Sequence, residues 1–429
     1  RYPADFDGLV VGAPALNNSA NRLRSIATYQ ALAKAPIPAA KLKLLADRVY
    51  ARCDDRDGLK DGLIDDPRRC DFKASRDVPV CPAGDAPGCF TADQIKVLET
   101  IYGDVVLNGK RTAPGFPVGA EIAGPNGASG WDGWIMRENG LSQSAVFAES
   151  ALRFMIFPKP DPAYDLTRFN LERDAHLFDW IGKLMNATDP DLTRFRERGG
   201  KILMYFGWSD PALNPLMGVE YYESVLQRMG ASTRDFFKLY MLPGVFHCSG
   251  GVGPACFDPL TNLIPWVEHG KAPDSIVASR LEGGKVLRTR PLCPYPQVAK
   301  YQGQGSIDDA SNFRCSNQTK TDAFSTAGPV SRELYRTLLH AVGSLGPCGE
   351  EVKKTSIHLL RESAFAGVRL RKQHLVITIK AAKQIRSPRI VKAEQASTSR
   401  WYLDVKLNSP GEIDAELLGW LGASYDLSR

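Results

Sequence analysis

With 429 residues, the chain has room for two or three domains with cores of their own. Its hydrophobic share of 43% and charged share of 24% are those of ordinary globular proteins, and no apolar run reaches the roughly 18 residues that a membrane span needs. The net charge of +6 is unevenly placed: residues 316–429 hold 17 Lys and Arg against 11 Asp and Glu, which leaves 37 of each in residues 1–315. That tail lacks the dense basic stripe with interleaved aromatics of a nucleic-acid binder, so nucleic acid is not the expected partner. It reads as the solvated face of a small domain, with a docking face for an acidic partner as the other reading.

The nine cysteines stand at 53, 70, 81, 89, 248, 256, 293, 315 and 348. They form neither a CxxC pair nor a zinc spacing. Several flank short loops rich in Asp, Gly and Pro, which favours disulfides and an oxidising compartment. The odd count leaves at least one without an internal partner.

Along the chain, Phe6–Gly12 reads as a buried strand that turns at Gly12-Ala13-Pro14 into a helix, all within residues 1–35. No signal peptide is visible, and Arg1-Tyr2-Pro3 does not read as a natural start. Residues 36–195 alternate charged helical patterns such as Ala40–Tyr50 with Gly/Pro loops, as an inserted domain would. Residues 196–315 return to strand–loop–helix units. Lys201–Phe206 and Phe236–Leu242 are short apolar runs suited to central parallel strands, and Pro215–Met229 and Pro259–His269 are helices, the second stopped by Gly270. Such alternation predicts a parallel α/β sheet. A polar linker over 316–330 leads to a separate α+β unit over 331–429. That unit has a helix at Ser331–Ser344 and strands at Thr355–Leu360, Gly367–Leu370, Leu375–Lys380 and Trp401–Leu407. A last helix follows, with Ser409-Pro410-Gly411-Glu412 as its capping box.

In parallel sheets reactive groups sit beyond the carboxyl ends of strands. Two such ends carry Asp210 and His247, in the order of the second half of a Ser…Asp…His triad. His247 would take and return the serine proton, and Asp210 would fix its tautomer. A helix-capping Asp210 and a packed or surface His247 are the plainer alternatives. No G-x-S-x-G elbow is present. The nearest segment, His247-Cys248-Ser249-Gly250-Gly251, lacks the first glycine and puts Ser249 on the histidine loop, a poor place for a nucleophile. Between Cys53 and Cys70 lie six aspartates with Gly58 and Gly62. Hard oxygen ligands on a tightly turning loop suit calcium. The register is not that of an EF-hand, because Lys60 stands where glycine is required, and a solvated acidic turn paired with Arg68 and Arg69 is the alternative.

At these residues the chain resembles the tannase/feruloyl esterase family. The matching segments are Tyr2–Gly8 with Gly12-Ala13-Pro14, Cys53–Cys70, Gly207-Trp208-Ser209-Asp210-Pro211, Pro243–Cys248 and Arg288–Pro296, in order across residues 1–315. The resemblance implies a partial α/β-hydrolase fold whose lid is 36–195, with Asp210 as triad acid and His247 as triad base. It implies structural Ca²⁺ on the side chains of Asp54, Asp57 and Asp61 and the main-chain oxygens of Leu59 and Leu63. It implies disulfides Cys53–Cys70, Cys81–Cys89 and Cys293–Cys315, the first worth roughly 3 kcal/mol for a loop of its size. It also implies a small aromatic ester as substrate and a secreted or periplasmic location. The family's nucleophile lies in a Gly-Cys-Ser-x-Gly-Gly motif about a dozen residues before the position of Arg1, and the cysteine of that motif bridges to the position of Cys248. The expectation is therefore a fragment without the nucleophile, inactive alone, with a non-catalytic binding protein as the alternative and no partner assigned to Cys256. Residues 331–429 resemble a small domain labelled a predicted transport protein, which implies no chemistry.

Overall fold

The computed structural model describes residues 2–317, 328–346, 348–353 and 356–428. The chain divides into two compact units, Arg1–Ser316 and Asn317–Arg429.

The first unit is organised by a parallel three-stranded sheet in the order Gly8–Gly12, Lys201–Gly207, Phe237–Leu242. Gly8 stands opposite Lys201, and Ile202 opposite Phe237. After Lys201 the middle strand carries no charged side chain, because both its faces are covered. Ile202, Met204 and Phe206 pack with Val219, Tyr222 and Val225 of helix Pro215–Met229, while Leu203 packs with Leu263 and Trp266 of helix Pro259–His269. The ends of both helices follow the sequence signals. Asn214 accepts from Leu216 N and Asp258 from Leu260 N and Thr261 N, each ahead of a first-turn proline, and Gly230 and Gly270 stop the helices at positive φ.

Between the first and second strands the chain is mainly helical. Asn18–Lys34, Leu42–Cys53, Ala92–Tyr102 and Gln143–Phe154 are the longest helices there, and the one hairpin described is the short pair Val105–Leu107 and Lys110–Ala113. Arg24 ties helix Asn18–Lys34 to the rest of this segment. It is 1% exposed, and its guanidinium donates to the carbonyls of Thr100 (2.8 Å), Gly103 (2.5 Å) and Pro114 (2.9 Å). Burial without a bonded carboxylate pushes its pKa down to about 10. The hairpin Ile276–Glu282/Lys285–Leu292 and the strand pair Gln297–Tyr301/Phe313–Asn317 complete the unit.

The second unit is a six-stranded antiparallel sheet with the helices Pro329–Val342 and Ala415–Asp426. The period-two alternation of Leu375, Ile377 and Ile379 lays these side chains in one core with Leu334, Leu338, Leu417 and Leu421. Sequence reading missed two strands, Gly349–Val352 and Ile390–Ser397. They are the two edges of the sheet, and the second is exposed along almost its whole length, so it carries no apolar alternation. The last helix is capped by Asp414, which accepts from Leu417 N; Ser409 makes no side-chain cap and heads only a single turn at Pro410–Glu412. Of the linker expected over 316–330, residues 318–327 lie outside the described residues, as does Thr355, the expected start of a strand, and helix Pro329–Val342 begins inside its last residues.

Candidate active site

Asp210 and His247 leave the ends of adjacent strands, and the backbone stitches their loops together. Trp208 N donates to Leu242 O (2.9 Å) and Ser209 N to Val245 O (3.1 Å). Gly207 makes this close approach possible, since a Cβ there would overlap the carbonyl oxygens of Val245 and Phe246. Gly207→Ala is therefore expected to cost about 1–3 kcal/mol, read as a lowered unfolding midpoint in denaturant, because the two loops would have to part.

The structure brings the two side chains together: Nδ1 of His247 lies 2.9 Å from Oδ2 of Asp210. The acid is held from behind as well, its Oδ1 accepting from Ala212 N (2.8 Å) and Leu213 N (2.9 Å). So Asp210 does cap the turn that follows it, and it holds the histidine at the same time. Asp210 is 1% exposed. Its burial raises its pKa against the opposing hydrogen bond from His247, while that bond raises the pKa of the half-buried imidazole. An imidazole whose Nδ1 is engaged this way leaves Nε2 as its working nitrogen.

Trp134 stands edge-on to the imidazole, ring centroids 5.5 Å apart. The segment that carries it is fitted against the histidine loop, with Gly124 beside Gly251 and Ala128 beside Gly250. Nothing in the spacing of Trp131 and Trp134 marks one of them for the histidine. On the other flank Cys248, at φ +61°, holds its exposed thiol 4.0 Å from both ring nitrogens. Ser249 is exposed, and its backbone N donates to His247 O (2.7 Å). Among the described residues no hydroxyl hydrogen-bonds Nε2 of His247.

The aspartate-rich loop closes on itself. Oδ1 of Asp54 accepts from Asp61 N (3.3 Å) and Gly62 N (2.9 Å), Asp57 from Leu59 N (3.0 Å) and Asp61 from Leu63 N (3.1 Å). Gly58 and Gly62 both sit at positive φ, where the loop turns. Its carboxylates lie close enough to disfavour one another's charge. Burial raises Asp54 to about 6 and Asp65 to about 7, with neighbouring aspartates adding to both, and Asp57 also rises through burial and the charge of Asp65. Arg68 pairs with Asp66, as the plainer reading of the acidic turn expected. Asp61 receives Arg290 (2.6 Å) from the distant hairpin, a partner no local pattern announces. Among the described residues no three acidic, histidine or cysteine side chains are gathered as a metal cluster. The donor set is nonetheless all hard oxygen, the kind calcium takes. Cys53–Cys70 closes the loop, and Cys81–Cys89 and Cys293–Cys315 also form, while Cys248, Cys256 and Cys348 are free thiols.

A parallel sheet that delivers an acid and a histidine from successive strand ends defines the α/β-hydrolase class. Residues 1–316 match the family model for tannase and feruloyl esterase, and the chain belongs to that family. Residues 320–428 match a domain of unknown function, DUF5655. An uncharacterized esterase of Xanthomonas campestris pv. campestris is 33% identical over 380 residues, covering 78% of this chain and 65% of the relative. The mono(2-hydroxyethyl) terephthalate hydrolase of Piscinibacter sakaiensis is 34% identical over 371 residues, covering 73% and 60%. Among solved structures, an esterase from Aspergillus oryzae superposes with a TM-score of 0.66 at 25% identity, covering 74% of this chain and 65% of that one. The chain thus spans slightly less than two thirds of the length of these relatives.

Proposed function

We propose that residues 1–316 supply the acid and base of a carboxylic ester hydrolase acting on phenolic esters. The observation that carries this is the 2.9 Å contact between His247 Nδ1 and buried Asp210. In the reaction His247 Nε2 accepts the proton of a serine hydroxyl as its oxygen attacks the ester carbonyl. It then returns that proton to the departing alcohol, leaving an acyl-enzyme that water cleaves in the same manner. Asp210 stays ionised throughout and stabilises the imidazolium. The serine is that of the family's Gly-Cys-Ser-x-Gly-Gly segment, and residues 36–195 act as the lid over the acyl group, with Trp134 beside the base.

The absence of a hydroxyl on Nε2 among the described residues favours a second reading, a binding protein built on the esterase scaffold. Assays with methyl ferulate, methyl gallate and p-nitrophenyl acetate separate the two. The chain alone is expected to turn over no ester above background. The same chain preceded by a polypeptide carrying Gly-Cys-Ser-x-Gly-Gly is expected to do so, and to lose that turnover on His247→Ala. If that longer protein is also inert, the binding reading stands.

Calcium belongs to the same proposal. Asp54, Asp57 and Asp61 would hold it with the main-chain oxygens of Leu59 and Leu63, and its charge would relieve the mutual repulsion of the loop carboxylates. Its role there is structural. The three disulfides support a secreted or periplasmic location, and no helix among the described residues is long and apolar enough to cross a membrane. The transport-type resemblance of the second unit names no reaction, and none is built on it.

A further inference from the structure

The aspartate-rich loop continues, over residues 63–68, into contact with both loops that carry the acid and the base. Leu63 packs beside Gly244 of the histidine loop, where a Cβ would come within 2.9 Å of Leu63 Cδ2. Ile64 lies beside Gly119, which in turn abuts Ser209 of the acid loop; a Cβ at Gly119 would stand 3.8 Å from Ile64 Cδ1 and 2.7 Å from Ser209 Oγ. The segment ends at Arg68. Asp66 grips its guanidinium with both carboxylate oxygens, Oδ1 on Nε (2.9 Å) and Oδ2 on Nη2 (2.6 Å). The guanidinium carbon lies 4.9 Å from the centre of the Trp208 ring and 5.2 Å from that of Tyr295. Nη1 donates to the Tyr295 hydroxyl (2.8 Å), which donates to Glu223 (2.5 Å).

Trp208 is two residues from Asp210. Because Oδ1 of Asp210 is committed to the backbone of its own turn, the carboxylate moves with that turn, and the position of Oδ2 is set by how the turn is held. Its backbone is tied to the histidine loop, and its indole is buried in the core and met by the Arg68 guanidinium. We infer that Arg68 is a positioning residue for the Asp210–His247 pair, clamping the acid loop through the Trp208 indole. This rests on the esterase reading and adds to it a residue outside the triad. The planar guanidinium suits the role, since it can pair with a carboxylate in its own plane and lie over an aromatic face at once, which an ammonium cannot.

The direction of an NMR titration separates positioning from simple charge. Asp210, the Cys248 thiol and the uncharged Trp134 ring face His247, and Asp210 is what raises the imidazole. Removing a cation through space would raise the His247 midpoint further, whereas loosening the acid would lower it. The experiment follows the imidazole Cε1–H signals of the whole chain against pH, assigning His247 by the signal lost in His247→Gln. Asp210→Asn is expected to lower the midpoint, and Arg68→Gln to lower it part of the way, with Arg68→Lys lying between Arg68→Gln and the parent. A midpoint unchanged or raised in Arg68→Gln overturns the inference. Should Arg68→Gln fail to fold, Tyr295→Phe removes one guanidinium partner and is expected to shift the midpoint down by less; no shift there overturns it equally. If Asp210→Asn itself leaves the midpoint in place, the acid–base pairing fails rather than the role of Arg68.

Discussion

Asp210→Asn is expected to cut kcat for phenolic ester hydrolysis by about 10⁴-fold in the protein that carries the serine, with a much smaller change in KM. The reason is geometric as well as electrostatic. Oδ1 is already filled by Ala212 N and Leu213 N, so Oδ2 is the atom left to receive His247. An amide can keep both backbone bonds with its oxygen, but then presents its NH₂ to the imidazole. Two donors cannot share the contact, so Nδ1 must give up its proton and Nε2 take one. The base is then protonated at the nitrogen that should receive the serine proton. Steady-state kinetics at saturating ester and circular dichroism of the variant check this. A variant that folds like the parent and retains kcat would remove the acid from the mechanism.

The second large effect is expected at the aspartate-rich loop. In metal-free protein, stability should fall as pH rises from about 4 to about 7. The sign follows from the raised values of Asp54, about 6, and Asp65, about 7, against an ordinary value of 3.8. Across that window the folded loop keeps protons that the unfolded chain has already released. The folded state therefore binds more protons, and each step up in pH favours unfolding. Above about pH 7 the decline should level off. Calcium should reverse it by binding the ionised loop, adding about 2.7 kcal/mol at a concentration 100-fold above its dissociation constant. Thermal unfolding from pH 4 to 8, in chelator and in millimolar Ca²⁺, reads both effects. Superimposed curves in the two buffers would mean that the loop holds no calcium.

What the sequence made legible is what depends on neighbours in the chain. Helices Pro215–Met229 and Pro259–His269 have their caps, first-turn prolines and terminal glycines within a residue or two of their ends, and both boundaries were read in full. The apolar runs Lys201–Phe206 and Phe236–Leu242 predict the strands found at Lys201–Gly207 and Phe237–Leu242, because both faces of the sheet are covered. Edge strand Ile390–Ser397 was missed because a mostly solvated strand has no need of apolar alternation. The last helix was started too early, since Ser409-Pro410-Gly411-Glu412 and Asp414 both look like caps and only packing of Leu417 and Leu421 selects the second. In the site, Asp210 and His247 could be found because strand ends are recognisable locally. Trp134, Arg290 and the Trp208–Arg68 contact could not, because each meets its partner through a fold that brings distant residues together.

The same separation governs how the molecule is made. Strand Gly8–Gly12 finds its hydrogen-bonding neighbour in Lys201–Gly207, so Gly8 must wait for a residue 193 positions later. At about 5–20 residues per second of synthesis, that is a delay of roughly 10–40 s. Throughout it Gly8–Gly12 lacks this neighbour while the intervening helical segment is completed first. A holdase co-expressed to shield the waiting strand is therefore expected to raise the recovery of soluble protein.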